Sequence, residues 1–152
     1  MKLAEALQER ADLNRRISEL ENRLLSNALV QEGEAPAEDP VELLKQLDTA
    51  SARLEYLMAR INATNCATLS EGETLTDLLA RKDAMKLRLS AYRNLVHAAS
   101  QTARRATRSE IKIYSTVNVR DLQQTADHMA RELRLLDNRL QQANWTADLI
   151  ES

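Results

Sequence analysis

Four stretches of this chain place apolar residues alternately three and four positions apart. The most regular stretch has its apolar positions at Val119, Leu122, Ala126, Met129, Leu133, Leu136, Leu140 and Ala143. This spacing returns side chains to one face of an α-helix, so each stretch is expected to form a long helix with a single apolar stripe, its seam. Four such helices have to bury their seams against one another, which favours a helical bundle.

The starts of the helices are marked by residues that accept the free amide hydrogens of a first helical turn. Asp39 precedes Pro40, which suits the first helical position, and Thr74 precedes another seam. The few glycines and prolines lie in or beside the first two connections. We place the four helices at about residues 2–29, 40–63, 75–105 and 118–144.

The lengths of the connections decide the topology. They span about 9–13 residues, which favours antiparallel neighbours. The predicted fold class is therefore all-α: an elongated antiparallel four-helix bundle with coiled-coil-like heptad packing, formed as one domain over residues 1–152. The composition agrees, because charged residues make up 29% of the chain and aromatic residues only 3%, as is typical of long helices.

One stretch, "RSEIKIYSTV", does not follow the helical pattern. Ile111 and Ile113 alternate with Lys112 and Tyr114, so we predict one short extended or β segment at about 109–117. A single strand leaves its amide and carbonyl groups unpaired. Three interpretations stay open: a strand that pairs with the same segment of another subunit, an extended loop packed on the end of the bundle, or a loop that binds an anionic ligand.

The same region holds the basic cluster "ARRATRSEIK". The candidate residues for oligomer or anion contacts are Arg104, Arg105, Arg108, Ile111, Lys112, Ile113 and Tyr114. The connection "QEGEAPAEDP" is acidic, with Glu32, Glu34, Glu38 and Asp39, and an up-and-down bundle would place it at the same end. We therefore expect these opposite charges to meet, within one subunit or between subunits, and to help set the register.

The third helix carries more apolar surface than a bundle needs. Besides its seam it has a second stripe at Ala80, Ala84, Leu87, Ala91, Leu95 and Ala98, and the first helix adds Ala4, Leu7, Ala11 and Leu25. Extended apolar patches usually mark interfaces, although alanine is also simply a good helix former. We predict a homo-oligomer in which the protein acts as a structural or interaction module, with itself as partner.

Patterns for catalysis or metal binding are missing from the sequence. His97 and His128 lie outside the seams and belong to no His-x-x-x-His or Glu-x-x-His pair, and Cys66 stands alone. Two glycines are too few for a phosphate-binding loop. We therefore expect no enzyme activity, and any cofactor is unknown. An oligomer with ligand or metal sites between chains stays open as an alternative.

Charge and hydropathy narrow the partners further. The net charge is −2, so no nucleic acid is expected to bind. The sequence contains no apolar run of the roughly 18 residues that suggest a membrane span, so no membrane partner is expected. The N-terminal stretch "MKLAEALQERADL" is charged and lacks the apolar core of a secretion signal, so we expect a cytoplasmic protein.

Several segments together resemble a known family. They are "MKLAEALQERADLNRRISELENRLLSNALVQEGEAPAEDPVELL", "RINATN", "RSEIKIYSTVNV" and "QQANWT", in this order along nearly the whole chain. They are similar to the septicolysin-like family of small bacterial proteins. The resemblance implies a helical bundle that assembles into a homo-oligomer in the bacterial cytoplasm. The name of that family adds an alternative function, a cytolysin-like protein that acts on membranes, and it supplies no catalytic residues.

Overall fold

The computed structural model describes residues 1–101 and 111–152, which are mostly helical. In this part of the chain the elements are, in order, α1 (Leu3–Ser26), α2 (Pro40–Ala67), β1 (Leu69–Ser70), β2 (Glu73–Thr74), α3 (Leu75–Ala99) and α4 (Val119–Thr146). The predicted all-α class with a short β segment is confirmed. The helix starts agree with the predicted ones to within one residue.

Capping explains why the starts were predictable. The Asp39 carboxylate accepts a hydrogen bond from the amide of Val41 at 3.0 Å, and the Thr74 hydroxyl accepts one from Asp77 at 3.1 Å. The ends are marked less clearly in the sequence. Helix α2 continues to Ala67 through a polar stretch that we predicted to end it. Thr64 is buried there with its hydroxyl bonded to the carbonyl of Arg60, and the amide of Thr68 still donates to the carbonyl of Thr64.

The strand pairing lies elsewhere than predicted. Among the described residues 111–117 none belongs to a strand, whereas β1 and β2 form a small hairpin ahead of α3. Its turn residues, Glu71 and Gly72, have φ angles of 48° and 83°. Two positive angles match a type I′ turn, whose twist suits a hairpin. The alternation of Ile111 and Ile113 thus marks an extended connection.

The chain divides into two compact units. Unit 1 comprises Met1–Leu69 and Ala143–Ser152. Its helices α1 and α2 are antiparallel: the Arg53 guanidinium bonds the Glu9 carboxylate at 2.6 and 2.9 Å, and Arg23 Nε lies 3.0 Å from Glu38 Oε2. Most buried residues of the pair come from the two seams: Leu3, Ala6, Leu20, Leu43, Ala50, Leu57 and Ile61.

The C-terminal tail completes unit 1. The amide of Leu3 donates to the carbonyl of Ala147, and the amide of Leu149 donates to the carbonyl of Met1, both at 2.9 Å. The Leu149 side chain is only 6% exposed, so the tail contributes to the core as well as to the backbone pairing. The first and last residues of the chain are thereby held side by side.

Unit 2 comprises Ser70–Gln142. Its helices α3 and α4 are antiparallel: Lys82 of α3 bonds Asp137 of α4, and farther along α3 Leu89 packs with Ala126 and Met129. All eight seam positions given above for α4 are buried or partly buried. The heptad pattern therefore predicted which side of this helix faces inward.

Candidate functional site

One face of α3 is apolar and exposed along its length. This α3 outer face consists of the second stripe: Ala80, Ala84, Leu87, Ala91, Leu95 and Ala98, every one of them exposed. The side chain of Leu87 is 75% exposed, while Leu75, Leu78 and Leu89 on the seam are buried. Helix α3 thus has two apolar faces, and within the described residues the seam alone is covered.

The surplus residues of α1 behave differently. Ala4 is buried and Leu7 partly buried, so the core of unit 1 absorbs them. Ala11 and Leu25 are exposed. The predicted excess of apolar surface is therefore concentrated on α3.

Residues 111–117 extend the α3 outer face at its C-terminal end. Residues 113–117 of this segment line a cavity of about 320 Å³ together with Leu95 and Ala98. Ile111 and Tyr114 are 76% and 75% exposed, so two large side chains add to the accessible apolar surface. The two features that the sequence singled out for assembly, the second stripe and this segment, lie next to each other.

Three of the predicted contact residues, Arg104, Arg105 and Arg108, lie outside the described residues. The other four, Ile111, Lys112, Ile113 and Tyr114, are exposed. The acidic connection uses two of its carboxylates locally, because Glu38 is paired with Arg23 of α1 and Asp39 caps α2. The hydrogen bonds from Arg23 hold the pKa of the Glu38 carboxyl below its usual range.

An ion-pair network at Glu73 fixes the hairpin between the helices of unit 2. Arg139 of α4 donates to the Ser70 hydroxyl at 3.0 Å and to the Glu73 carboxylate at 3.2 Å, and Arg81 of α3 donates to the same carboxylate. These bonds, chiefly that from Arg81, hold the pKa of Glu73 below its usual range. The paired carboxylate anchors both helices to β2.

The sequence interpretation missed a set of cations that α3 and α4 share. Lys86, Arg93, Arg131 and Arg134 line one cleft between the two helices, although they are far apart in the chain. They form no local basic run, which is why "ARRATRSEIK" alone stood out. Only their helical spacing marks them in the sequence. Lys86 and Arg93 are seven residues apart on α3, Arg131 and Arg134 are three residues apart on α4, and both pairs lie beside the seams.

The histidines and the cysteine lie at the surface. His97, His128 and Cys66 are exposed, and His128 Nε2 lies 3.1 Å from Glu132 Oε1, one helical turn along α4. Residues 1–101 and 111–152 hold no group of three or more His, Cys, Asp or Glu side chains placed to bind a metal ion. In that same part of the chain, no helix is both long and apolar enough to cross a membrane.

Comparison with known proteins corrects the resemblance proposed from the sequence. The model of a family described as "Family of unknown function (DUF6847)" matches residues 10–149. A functionally unknown conserved protein from Corynebacterium diphtheriae, solved by crystallography, is 43% identical, and the match covers 99% of each chain with a TM-score of 0.94. No curated protein matches the chain.

Neither match is septicolysin-like, so that assignment is wrong, and the cytolysin-like alternative that rested on it is withdrawn. The family model covers most of the chain, and the chain therefore belongs to the family of unknown function DUF6847.

Proposed function

We propose that this protein is a self-associating structural or interaction module whose copies pack through the α3 outer face. The observation that carries the proposal is that α3 buries its seam in unit 2 while its opposite stripe, from Ala80 to Ala98, is exposed. That stripe is about 27 Å long at about 1.5 Å per residue. Its alanines leave room for a second helix at an ordinary interaxial distance of about 8–10 Å.

The order of residues on this face suits a two-fold contact. Counting outward from Ala91, a leucine lies four residues away on each side, at Leu87 and Leu95, and an alanine seven residues away, at Ala84 and Ala98. A two-fold interface brings the same patch of both copies together. If two α3 helices cross antiparallel at Ala91, each leucine meets the opposite leucine of the partner, and the alanines allow close approach.

The contact that we propose needs only an ordinary area. A typical stable interface covers about 800 Å² on each partner. The exposed residues Ile113 and Tyr114 lie beside Leu95 and Ala98 and enlarge the α3 outer face. Nothing in the proposal requires catalysis.

The test is the mass of the protein in solution, measured by sedimentation equilibrium over micromolar concentrations. We expect the wild type to exceed 17.2 kDa and to dissociate on dilution. In Ala91→Glu, two carboxylates would face each other across the two-fold axis, so the contact at this face should be lost. A wild type that stays at 17.2 kDa throughout would refute the proposal.

Ser90→Glu is the matched control. Ser90 is exposed like Ala91 and adjacent to it, but it lies off the stripe. It should leave the mass unchanged. Because both positions are exposed, neither substitution should lower the free energy of unfolding by more than about 0.5 kcal/mol. If both variants lower the mass equally, the α3 outer face is not the contact.

A further inference from the structure

The cleft between α3 and α4 concentrates positive charge that is not neutralised locally. It has a volume of about 630 Å³. At one end Lys82 is paired with Asp137. Within the part of the chain that the structure describes, the other four cations, Lys86, Arg93, Arg131 and Arg134, form no ion pair. Four charges of one sign this close repel one another, so an anionic occupant would be stabilised here.

The floor of the cleft is apolar. Leu89 is only 4% exposed, and Ala130 and Leu133 are partly buried beside it. Along α3 the lining runs from Lys82 to Arg93, about 16 Å at about 1.5 Å per residue. An apolar floor with a basic rim fits a peptide segment that carries apolar side chains next to acidic ones.

The chain itself carries such a segment in the connection between α1 and α2. Leu29 and Val30 are 90% and 51% exposed, so two adjacent large apolar side chains are accessible here. Glu32 and Glu34 follow at once, both exposed. Among the described residues neither carboxylate has an ion-pair partner. The segment therefore complements the cleft in two ways. Its apolar side chains match the apolar floor, and its unpaired carboxylates match the basic rim.

The charge balance of the two units points the same way. Unit 1 has 14 acidic and 8 basic side chains, a net charge of −6. Unit 2 has 9 acidic and 13 basic side chains, a net charge of +4. The net charge of −2 for the whole chain conceals this separation. Unit 1 of one copy is thus electrostatically complementary to unit 2 of another.

We infer that the α1–α2 connection of one copy docks into the α3–α4 cleft of a second copy. Leu29 and Val30 cover the apolar floor, while Glu32 and Glu34 face the arginines on the α4 side of the cleft. This contact shares no residue with the α3 outer face, and it rests on the proposed function only in taking a second copy as partner. It joins two different surfaces, so it is heterologous.

The test uses charge reversal in the Ala91→Glu background, where contact through the α3 outer face is removed. The cleft variant adds Arg131→Glu and Arg134→Glu, and the connection variant adds Glu32→Lys and Glu34→Lys. Each alone brings like charges together, so each should sediment as the 17.2 kDa monomer at low ionic strength. An equimolar mixture of the two should associate again, because opposite charges then meet in both possible pairings.

Other results would overturn the inference. The inference fails if the Ala91→Glu parent sediments as a monomer at low ionic strength, if the charge-reversed variants keep the mass of the parent, or if their equimolar mixture stays monomeric. It also fails if the parent binds a fluorescent DNA duplex which the cleft variant no longer binds, because the cleft would then hold phosphate groups. If Ala91→Glu leaves the wild-type mass unchanged, the proposed function fails, but the charge-reversal comparison can still be read.

A matched control separates the location of the charges from their number. Arg16→Glu with Arg120→Glu changes the net charge as much as the cleft variant does, at two exposed positions outside the cleft. This control should keep the mass of the parent. Equal helix content by circular dichroism for all variants will show that the reversed charges have not unfolded the protein.

Discussion

The buried hydroxyl of Thr64 connects the C-terminal tail to α2. The side chain of Thr64 is completely buried, yet it makes two hydrogen bonds. It donates to the carbonyl of Arg60 at 2.8 Å and accepts from the amide of Ile150 at 2.9 Å. A buried polar group is tolerated only when it is paired, and here the pairing also satisfies a backbone amide that lies outside any helix.

The substitution Thr64→Val should therefore destabilise the protein. It keeps the shape of the side chain but leaves the amide of Ile150 without its acceptor, at a cost of about 1–3 kcal/mol. Urea denaturation would measure the loss. The control is Thr49→Val, also in α2, because Thr49 makes the same bond within the helix, to Lys45, but is exposed and holds no tail. Equal losses in the two variants would contradict this account.

At the scale of elements, Glu73 decides how the hairpin is held. Its carboxylate receives hydrogen bonds from Arg81 of α3 and Arg139 of α4, and together they hold its pKa below the ordinary value of 4.5. A carboxyl whose pKa is lowered by folding stabilises the folded state above its ordinary pKa. That contribution is lost as the pH falls through the pKa of the folded state.

The substitution Glu73→Gln should accordingly destabilise the protein at pH 7, and the difference from the wild type should shrink as the pH is lowered below 4.5. Urea midpoints of both proteins between about pH 3 and pH 7 would show this. Glu71→Gln is the control, because the Glu71 side chain is 80% exposed and lies 3.7 Å from Arg139. A difference that is constant with pH would exclude the ion pairs as its cause.

Particular residues show which elements could be predicted from the sequence. The seams and the caps at Asp39 and Thr74 act over a few residues, so their spacing predicted the helices and their starts. The hairpin was missed because its turn is formed by Glu71 and Gly72, and glutamate is uncommon at a positive φ. Residues 111–117 alternate as a strand would, but among the described residues no other segment pairs with them, so they form an extended connection.

The cleft could not be predicted because it depends on two helices that are distant in the sequence. Lys86 and Arg134 each look like an ordinary solvated residue of one helix. They line the same cleft only because α3 and α4 pack antiparallel, with Lys82 against Asp137. Sites that form in this way require the tertiary arrangement, whereas the α3 outer face needed only the periodicity of one helix.

At the scale of the whole molecule, the two proposed contacts differ in the force that drives them. The α3 outer face is apolar, whereas the cleft and the α1–α2 connection are complementary in charge. The Debye length falls from about 10 Å at 0.1 M salt to about 3 Å at 1 M, so salt weakens contacts between exposed charges. Burial of apolar surface is not screened in this way. Ionic strength should therefore separate the two contacts.

We expect opposite responses when sodium chloride is raised from low ionic strength to about 1 M. The Ala91→Glu protein, left with the charged contact alone, should dissociate to 17.2 kDa. The variant Arg131→Glu with Arg134→Glu, left with the apolar contact alone, should keep its mass. Sedimentation velocity at a series of salt concentrations measures both. If the two variants respond alike, the contacts do not differ in the nature of their driving force, and a single surface must account for any self-association.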